Sequence, residues 1–177
     1  MLNIIAVKRF FEPENCRPRR TQVRRAVSTL SRCLANLPSM SSRRVIVIGG
    51  GAAGFFAAIA CAEASPETEV VVLERGARFL EKVRISGGGR CNVTHACFDR
   101  REFATRYPRG GAALLAPFHK FSAADTVAWF AARGVKLKTE SDGRMFPVTD
   151  SSLTVVDCLT NAARVAGVKQ RFNTEVT

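Results

Sequence analysis

The chain has 177 residues, 46% of them hydrophobic, which is enough apolar material for one core of ordinary size. Lys and Arg outnumber Asp and Glu 27 to 15, but ten of the basic residues precede Val45, where Glu12 and Glu14 are the only acids. The rest of the chain is close to charge balance, which argues against a nucleic-acid partner for the body and sets residues 1–42 apart.

That first segment carries Arg17, Arg19, Arg20, Arg24, Arg25 and Arg32 among Ser, Thr and small apolar residues, with no acid after Glu14. Basic, Ser-containing, acid-poor composition is the signature of an organellar transit peptide. The reading is a chloroplast presequence recognised by the import machinery, with the mitochondrion as the alternative. A start at Met40 would give a cytoplasmic short form, and a basic disordered tail is the plain alternative. The six cysteines, Cys16, Cys33, Cys61, Cys91, Cys97 and Cys158, form no C-x-x-C pair, so zinc and dithiol chemistry lack their spacing. Free thiols in a reducing compartment fit this scatter.

Val45-Ile46-Val47-Ile48 predicts a buried strand. Gly49, Gly51 and Gly54 follow in G-x-G-x-x-G spacing, and Ala52 to Ala64 predicts a helix that Pro66 stops. The 18 uncharged residues from Val45 to Ala62 reach the length of a short membrane span, but three consecutive glycines divide them into strand and helix. A second strand, Val70–Leu73, ends at Glu74, 20 residues after Gly54. This β-α-β unit is built to hold a diphosphate over the helix N-terminus, with Glu74 accepting from adenosine ribose hydroxyls. Glu74 disfavours a 2′-phosphate there, although Arg75 adjoins it.

After Gly76, residues 77–82 predict a short helix. Then comes Arg84-Ile85-Ser86-Gly87-Gly88-Gly89-Arg90-Cys91-Asn92-Val93-Thr94. Three successive glycines serve close backbone approach rather than core packing, so this run predicts a second cofactor loop; a flexible turn is the bland alternative. Residues 95–111 read as loop, and 112–133 as helix in two pieces broken around Pro117–Ser122, with Ser122 and Asp125 as a capping pair. Val135–Glu140 alternates as a strand, Asp142-Gly143 turns, and Arg144–Val148 returns. Residues 151–166 predict a helix and 168–176 a strand. His95 and His119 have no partner at metal-ligand spacing, and no side chain stands out as a catalytic acid, base or nucleophile.

Val45–Gly54, Val70–Glu74 and especially Ile85–Thr94 resemble the HI0933-like, or BaiN-like, group of FAD/NAD(P)-binding flavoproteins, also labelled the aminoacetone oxidase family. Tyr107-Pro108, Phe118, Phe121-Ser122 and Gly143–Ser152 extend the resemblance over residues 43–177. It implies an FAD-dependent oxidoreductase whose flavin is reduced by NAD(P)H and passes electrons to a small organic acceptor. It places Gly49, Gly51 and Gly54 under the pyrophosphate, with Ala52 and Ala53 between them. Glu74 would hold the ribose, with Arg75 and Lys82 near the adenine end or the phosphates. Gly87, Gly88, Gly89, Arg90, Cys91 and Asn92 would lie towards the flavin. His95 stands where family members commonly carry Asn.

The implied fold class is α/β, a Rossmann-like FAD/NAD(P)-binding domain that is incomplete, with the start of an inserted second domain. Residues 43–166 would form the partial FAD-binding domain with a helical insertion, and 167–177 the beginning of a truncated middle domain. Such a fragment is expected to bind FAD weakly or not at all. The alternatives are an NAD-binding Rossmann dehydrogenase and a non-enzymatic basic interaction protein.

Overall fold

A computed structural model describes residues 43–177; the presequence read over residues 1–42 and the start at Met40 lie outside the described residues. The chain opens as β1 (Arg44–Ile48), α1 (Ala52–Ala64) and β2 (Glu69–Leu73). β1 and β2 pair in parallel, with Val45 opposite Val70 and Val47 opposite Val72. A parallel pair needs a crossover between its strands, and the Ala-rich run supplies it as α1.

Near the end of the chain, α6 (Ser152–Val165) leads into β6 (Lys169–Arg171). β6 pairs in parallel with the other side of β2, so the sheet order is β1-β2-β6. This is the first half of a doubly wound sheet. α1 buries Phe55, Phe56 and Ile59, and α6 buries Val155, Val156 and Leu159, in one cluster with Val70 and Val72. Each of these large side chains contributes roughly 1.5–3 kcal/mol by leaving water. Val45 and Val47 join that cluster from β1, whereas Ile46 and Ile48 point the other way and stay 55% and 69% exposed.

Between the two halves of this unit the chain makes α2 (Glu81–Gly89), β3 (Thr94–His95), α3 (Arg100–Thr105), α4 (Gly111–Lys120), α5 (Ala123–Ala131), β4 (Leu137–Thr139) and β5 (Arg144–Pro147). β3, β5 and β4 form a small antiparallel sheet in that order. α3 and α4 enclose a satellite cluster of Cys97, Phe103, Ala104 and Phe118. Ser122 and Asp125 form the expected reciprocal cap on α5.

Four local expectations change. The helix expected at 77–82 begins at Glu81, because Leu80 takes a left-handed conformation (φ 59°) with its side chain buried. Pro117 lies inside α4, and the break falls at Phe121–Ser122. The stretch read as loop over 95–111 contains α3, capped by Asp99. The segment 167–177, read as the start of a second domain, instead adds β6 to the parallel sheet. Val168 is buried in the main core, and Glu74 N–H donates to Arg171 O while Thr174 N–H donates to Glu74 O, each at 2.8 Å.

Candidate cofactor site

The glycines after β1 are not equivalent. Gly49 has φ +104°, a conformation that favours glycine, and its N–H donates to Leu73 O at 2.8 Å. A Cβ on Gly54 would sit 1.9 Å from Gly49 O, so only hydrogen fits where α1 crosses the turn. A Cβ on Gly50 would meet Phe79 Cδ1 at 2.2 Å. Gly51 is the opposite case: a Cβ there would meet nothing within 4 Å, so the space in front of it is open. Gly51 is also the N-cap of α1 and supplies no side-chain cap. The N–H groups of the first turn, which includes Ala52 and Ala53, therefore lack an intrahelical acceptor at the positive end of the helix. An anionic diphosphate satisfies both needs.

Glu74 closes one side of this turn. Its Oε2 accepts from Gly50 N–H and its Oε1 from Gly76 N–H, both at 2.8 Å. The Gly76 N–H, followed by that of Gly50, holds the carboxyl below its ordinary pKa against the opposing effect of burial. The group stays ionised, and each oxygen retains a lone pair for a ribose hydroxyl. Gly51, Glu74, Arg75, Arg78, Leu80 and Lys82 line a cleft of about 510 Å³. The structure thus brings the glycine turn, Glu74, Arg75 and Lys82 to one cleft. It adds Arg78, whose only signal was a third basic residue in the short Arg75–Lys82 connection.

Lys82 lies in the regular part of α2, about one turn before Ser86. At Ser86 the chain leaves helical geometry, and Gly87, Gly88 and Gly89 follow with φ of 58°, 67° and 85°. This run is open only to glycine without strain. A Cβ on Gly87 would lie 2.9 Å from Asn92 N and 3.0 Å from Phe146 Cε1, whereas one on Gly88 or Gly89 would meet nothing within 4 Å. The loop therefore packs on one flank and leaves the Gly88–Gly89 backbone open.

The three side chains after the glycines have protein partners. Arg90 Nη1 lies 2.5 Å from Glu140 Oε1 and 3.6 Å from Asp150 Oδ1, with the guanidinium 4.1 Å from the Phe146 ring centroid. Cys91 is fully buried in the main core, and burial pushes its thiol pKa up, away from the reactive thiolate. The Asn92 amide nitrogen, oriented as its neighbours require, lies 2.9 Å from Thr94 O and 3.3 Å from Met145 O. His95 is a packing residue. Its Nε2 is 3.1 Å from Asp142 O, and the ring covers Gly143, where a Cβ would come within 2.4 Å of Cε1.

Among the described residues no group of His, Cys, Asp and Glu could hold a metal ion, and no helix is long and apolar enough to cross a membrane. A parallel β-α-β unit with an uncapped, glycine-lined helix N-terminus and an acid at the tip of the second strand defines a dinucleotide-binding α/β domain of Rossmann type.

The family described as the HI0933-like protein Rossmann domain matches residues 43–177, and the chain belongs to that family of FAD/NAD(P)-binding flavoproteins. A 3-dehydro-bile acid delta(4,6)-reductase from Clostridium scindens is 31% identical over 126 residues, which cover 71% of this chain and 30% of that relative. A ribosomal RNA dihydrouridine synthase from Escherichia coli is 29% identical over 131 residues, covering 74% of this chain and 31% of that protein. The chain thus spans under a third of the length of these curated relatives. Among solved structures, the open conformation of a flavocytochrome c3 fumarate reductase superposes with a TM-score of 0.51 at 22% identity, covering 81% of this chain and 28% of that one. That likeness concerns the fold alone.

Proposed function

We propose that this domain binds the adenosine diphosphate half of FAD and serves an oxidoreductase in which NAD(P)H reduces the flavin and an organic acceptor takes the electrons. The observation that carries this reading is the open cradle at Gly51 beside the Glu74 cleft. Gly49 and Gly54 let α1 start close against the turn, and the first-turn N–H groups meet the pyrophosphate. Glu74 receives the ribose hydroxyls and, through Gly50 and Gly76, fixes the turn around them. Arg75, Arg78 and Lys82 outnumber the acids Glu74 and Glu81 along the cleft and leave it slightly positive. When bound, the flavin supplies the two-electron chemistry.

The relatives' names support one class of acceptor. One is a delta(4,6)-reductase of a 3-dehydro bile acid, and the other makes dihydrouridine in ribosomal RNA. Both names describe saturation of a carbon–carbon double bond. The acceptor proposed here is accordingly an alkene activated by a carbonyl. The presequence reading belongs to the same proposal and is tested by imaging a fluorescent fusion of residues 1–42.

Calorimetric titration of the chain with FAD, FMN and NAD tests the cofactor assignment. FAD should bind weakly but saturably, FMN should not bind, and Gly51→Val should abolish the FAD signal. NAD binding tighter than FAD, FMN binding as well as FAD, or FAD binding that Gly51→Val leaves unchanged would overturn it.

A further inference from the structure

The S-G-G-G-R-C-N run contains one cation, and the resemblance counts it among the residues that approach the flavin. Its surroundings assign it other work. The Arg90 guanidinium has a carboxylate at 2.5 Å, a second at 3.6 Å and an aromatic face at 4.1 Å. All three partners come from a segment at least 50 residues further on: Glu140 after β4, Phe146 in β5, and Asp150 just before α6. Phe146 is wholly buried, and it is the same ring that a side chain on Gly87 would strike at 3.0 Å. Asp150 is further held by Lys138, and Arg144 lies 3.6 Å from Glu140 and 5.4 Å from the Phe146 centroid. One aromatic ring therefore supports the first glycine of the loop on its edge and the arginine after the loop on its face. The backbone is tied at the same place, where Val93 N–H donates to Met145 O at 2.9 Å.

We propose that Arg90 is a positioning residue that fastens the Gly87–Gly89 loop to the β4–β5 hairpin, and that it does not contact the cofactor. The inference rests on the FAD reading above. Three residues with positive φ have no side chains to hold them, so their geometry must be imposed at the ends of the loop. Ser86 marks one end, where its carbonyl accepts from Cys91 N–H at 2.9 Å; Arg90 is the other. The loop and the hairpin then move as a unit, and whatever displaces Glu140 or Phe146 displaces the open Gly88–Gly89 backbone.

The test compares Arg90→Gln, Glu140→Gln, the double variant and Arg90→Lys in the full chain. If Arg90 positions the loop, each Gln variant weakens FAD binding by about tenfold, the scale typical of a lost outer-shell partner. The double variant is then no worse than either single one, and Arg90→Lys recovers part of the loss. If Arg90 instead contacts the cofactor, Arg90→Gln weakens binding while Glu140→Gln, which removes the nearest of the guanidinium's competing partners, leaves it unchanged or tighter. That result overturns the proposal. Hydrogen exchange at the Gly87–Gly89 amides is read in parallel without cofactor. Faster exchange in both Gln variants supports the clasp, and unchanged exchange refutes it even if wild-type chain binds no FAD. Failure of the cofactor reading would appear separately, in the wild-type titration.

Discussion

Gly54→Ala turns the crossing of α1 and β1 into a measurement. The new methyl would lie 1.9 Å from Gly49 O, 3.2 Å from Gly49 C and 3.4 Å from Val47 Cγ1. A carbon needs roughly 3.5 Å from its neighbours, so the helix start and the turn must separate by about 1.5 Å. The atoms in the way belong mainly to backbone, which cannot rotate aside as a side chain does. Overpacking of this kind costs about 1–3 kcal/mol, and the better helix propensity of alanine returns at most about 1 kcal/mol. A 1.9 Å clash with backbone puts the cost at the upper end of that range, so the expected result is a net loss of about 2 kcal/mol. Urea denaturation followed by the single tryptophan measures it well, because Trp129 packs on Phe56 of α1 with ring centroids 4.8 Å apart. Gly51→Ala is the matched control: its methyl meets nothing, so stability should stay within about 1 kcal/mol of wild type. Bulk at Gly51 should therefore cost ligand, whereas bulk at Gly54 should cost fold. A Gly54→Ala protein as stable as wild type, or more so, would refute the close crossing.

Glu74→Gln should destabilise the chain by about 1 kcal/mol at pH 7, the value of charged hydrogen bonds reduced for a half-exposed carboxylate. Because the folded pKa of Glu74 is depressed, its contribution is complete above the unfolded value of about 4.3 and fades as pH falls through the folded value. Wild type and variant should therefore converge in urea stability in acid, and a constant gap down to pH 2 would contradict the assignment. Leu80 combines a buried side chain with a left-handed backbone. Leu80→Gly and Leu80→Ala both lose the packing, but glycine alone relieves the strain, so the glycine variant should be the more stable by about 1 kcal/mol. The opposite order in thermal melts would show that Leu80 is not strained.

What was legible in the sequence was local in origin. Val45–Ile48, the glycine spacing, the Ala-rich run and Glu74 lie within 30 residues and encode the first β-α-β unit without help from elsewhere. The S-G-G-G run announced an unusual backbone in the same way. The direction of Arg90 was not legible, because Glu140, Phe146 and Asp150 lie at least 50 residues further on, and Asn92 takes one of its two partners, Met145, from the same segment. β3 is two residues long and exists only through its pairing with Arg144 and Met145. The α3 helix had a readable signal, an Asp99 cap three residues before Glu102, hidden in a stretch whose Gly and Pro suggested loop. β6 went unrecognised as part of the main sheet because Lys169-Gln170-Arg171 is polar and sits at a sheet edge, where a strand needs no apolar pattern.

The other edge of that sheet is apolar. From Val45 to Ile48, β1 contains no proline and no lysine to discourage pairing, and Ile46 and Ile48 stand out from it largely bare. Among the described residues no strand pairs with that side of β1. Two copies meeting along it would gain hydrogen bonds and apolar contact together, and the gain grows with how often copies meet. Pairing along β1 would make the melting temperature rise with protein concentration, so melts at two concentrations measure whether this edge is used.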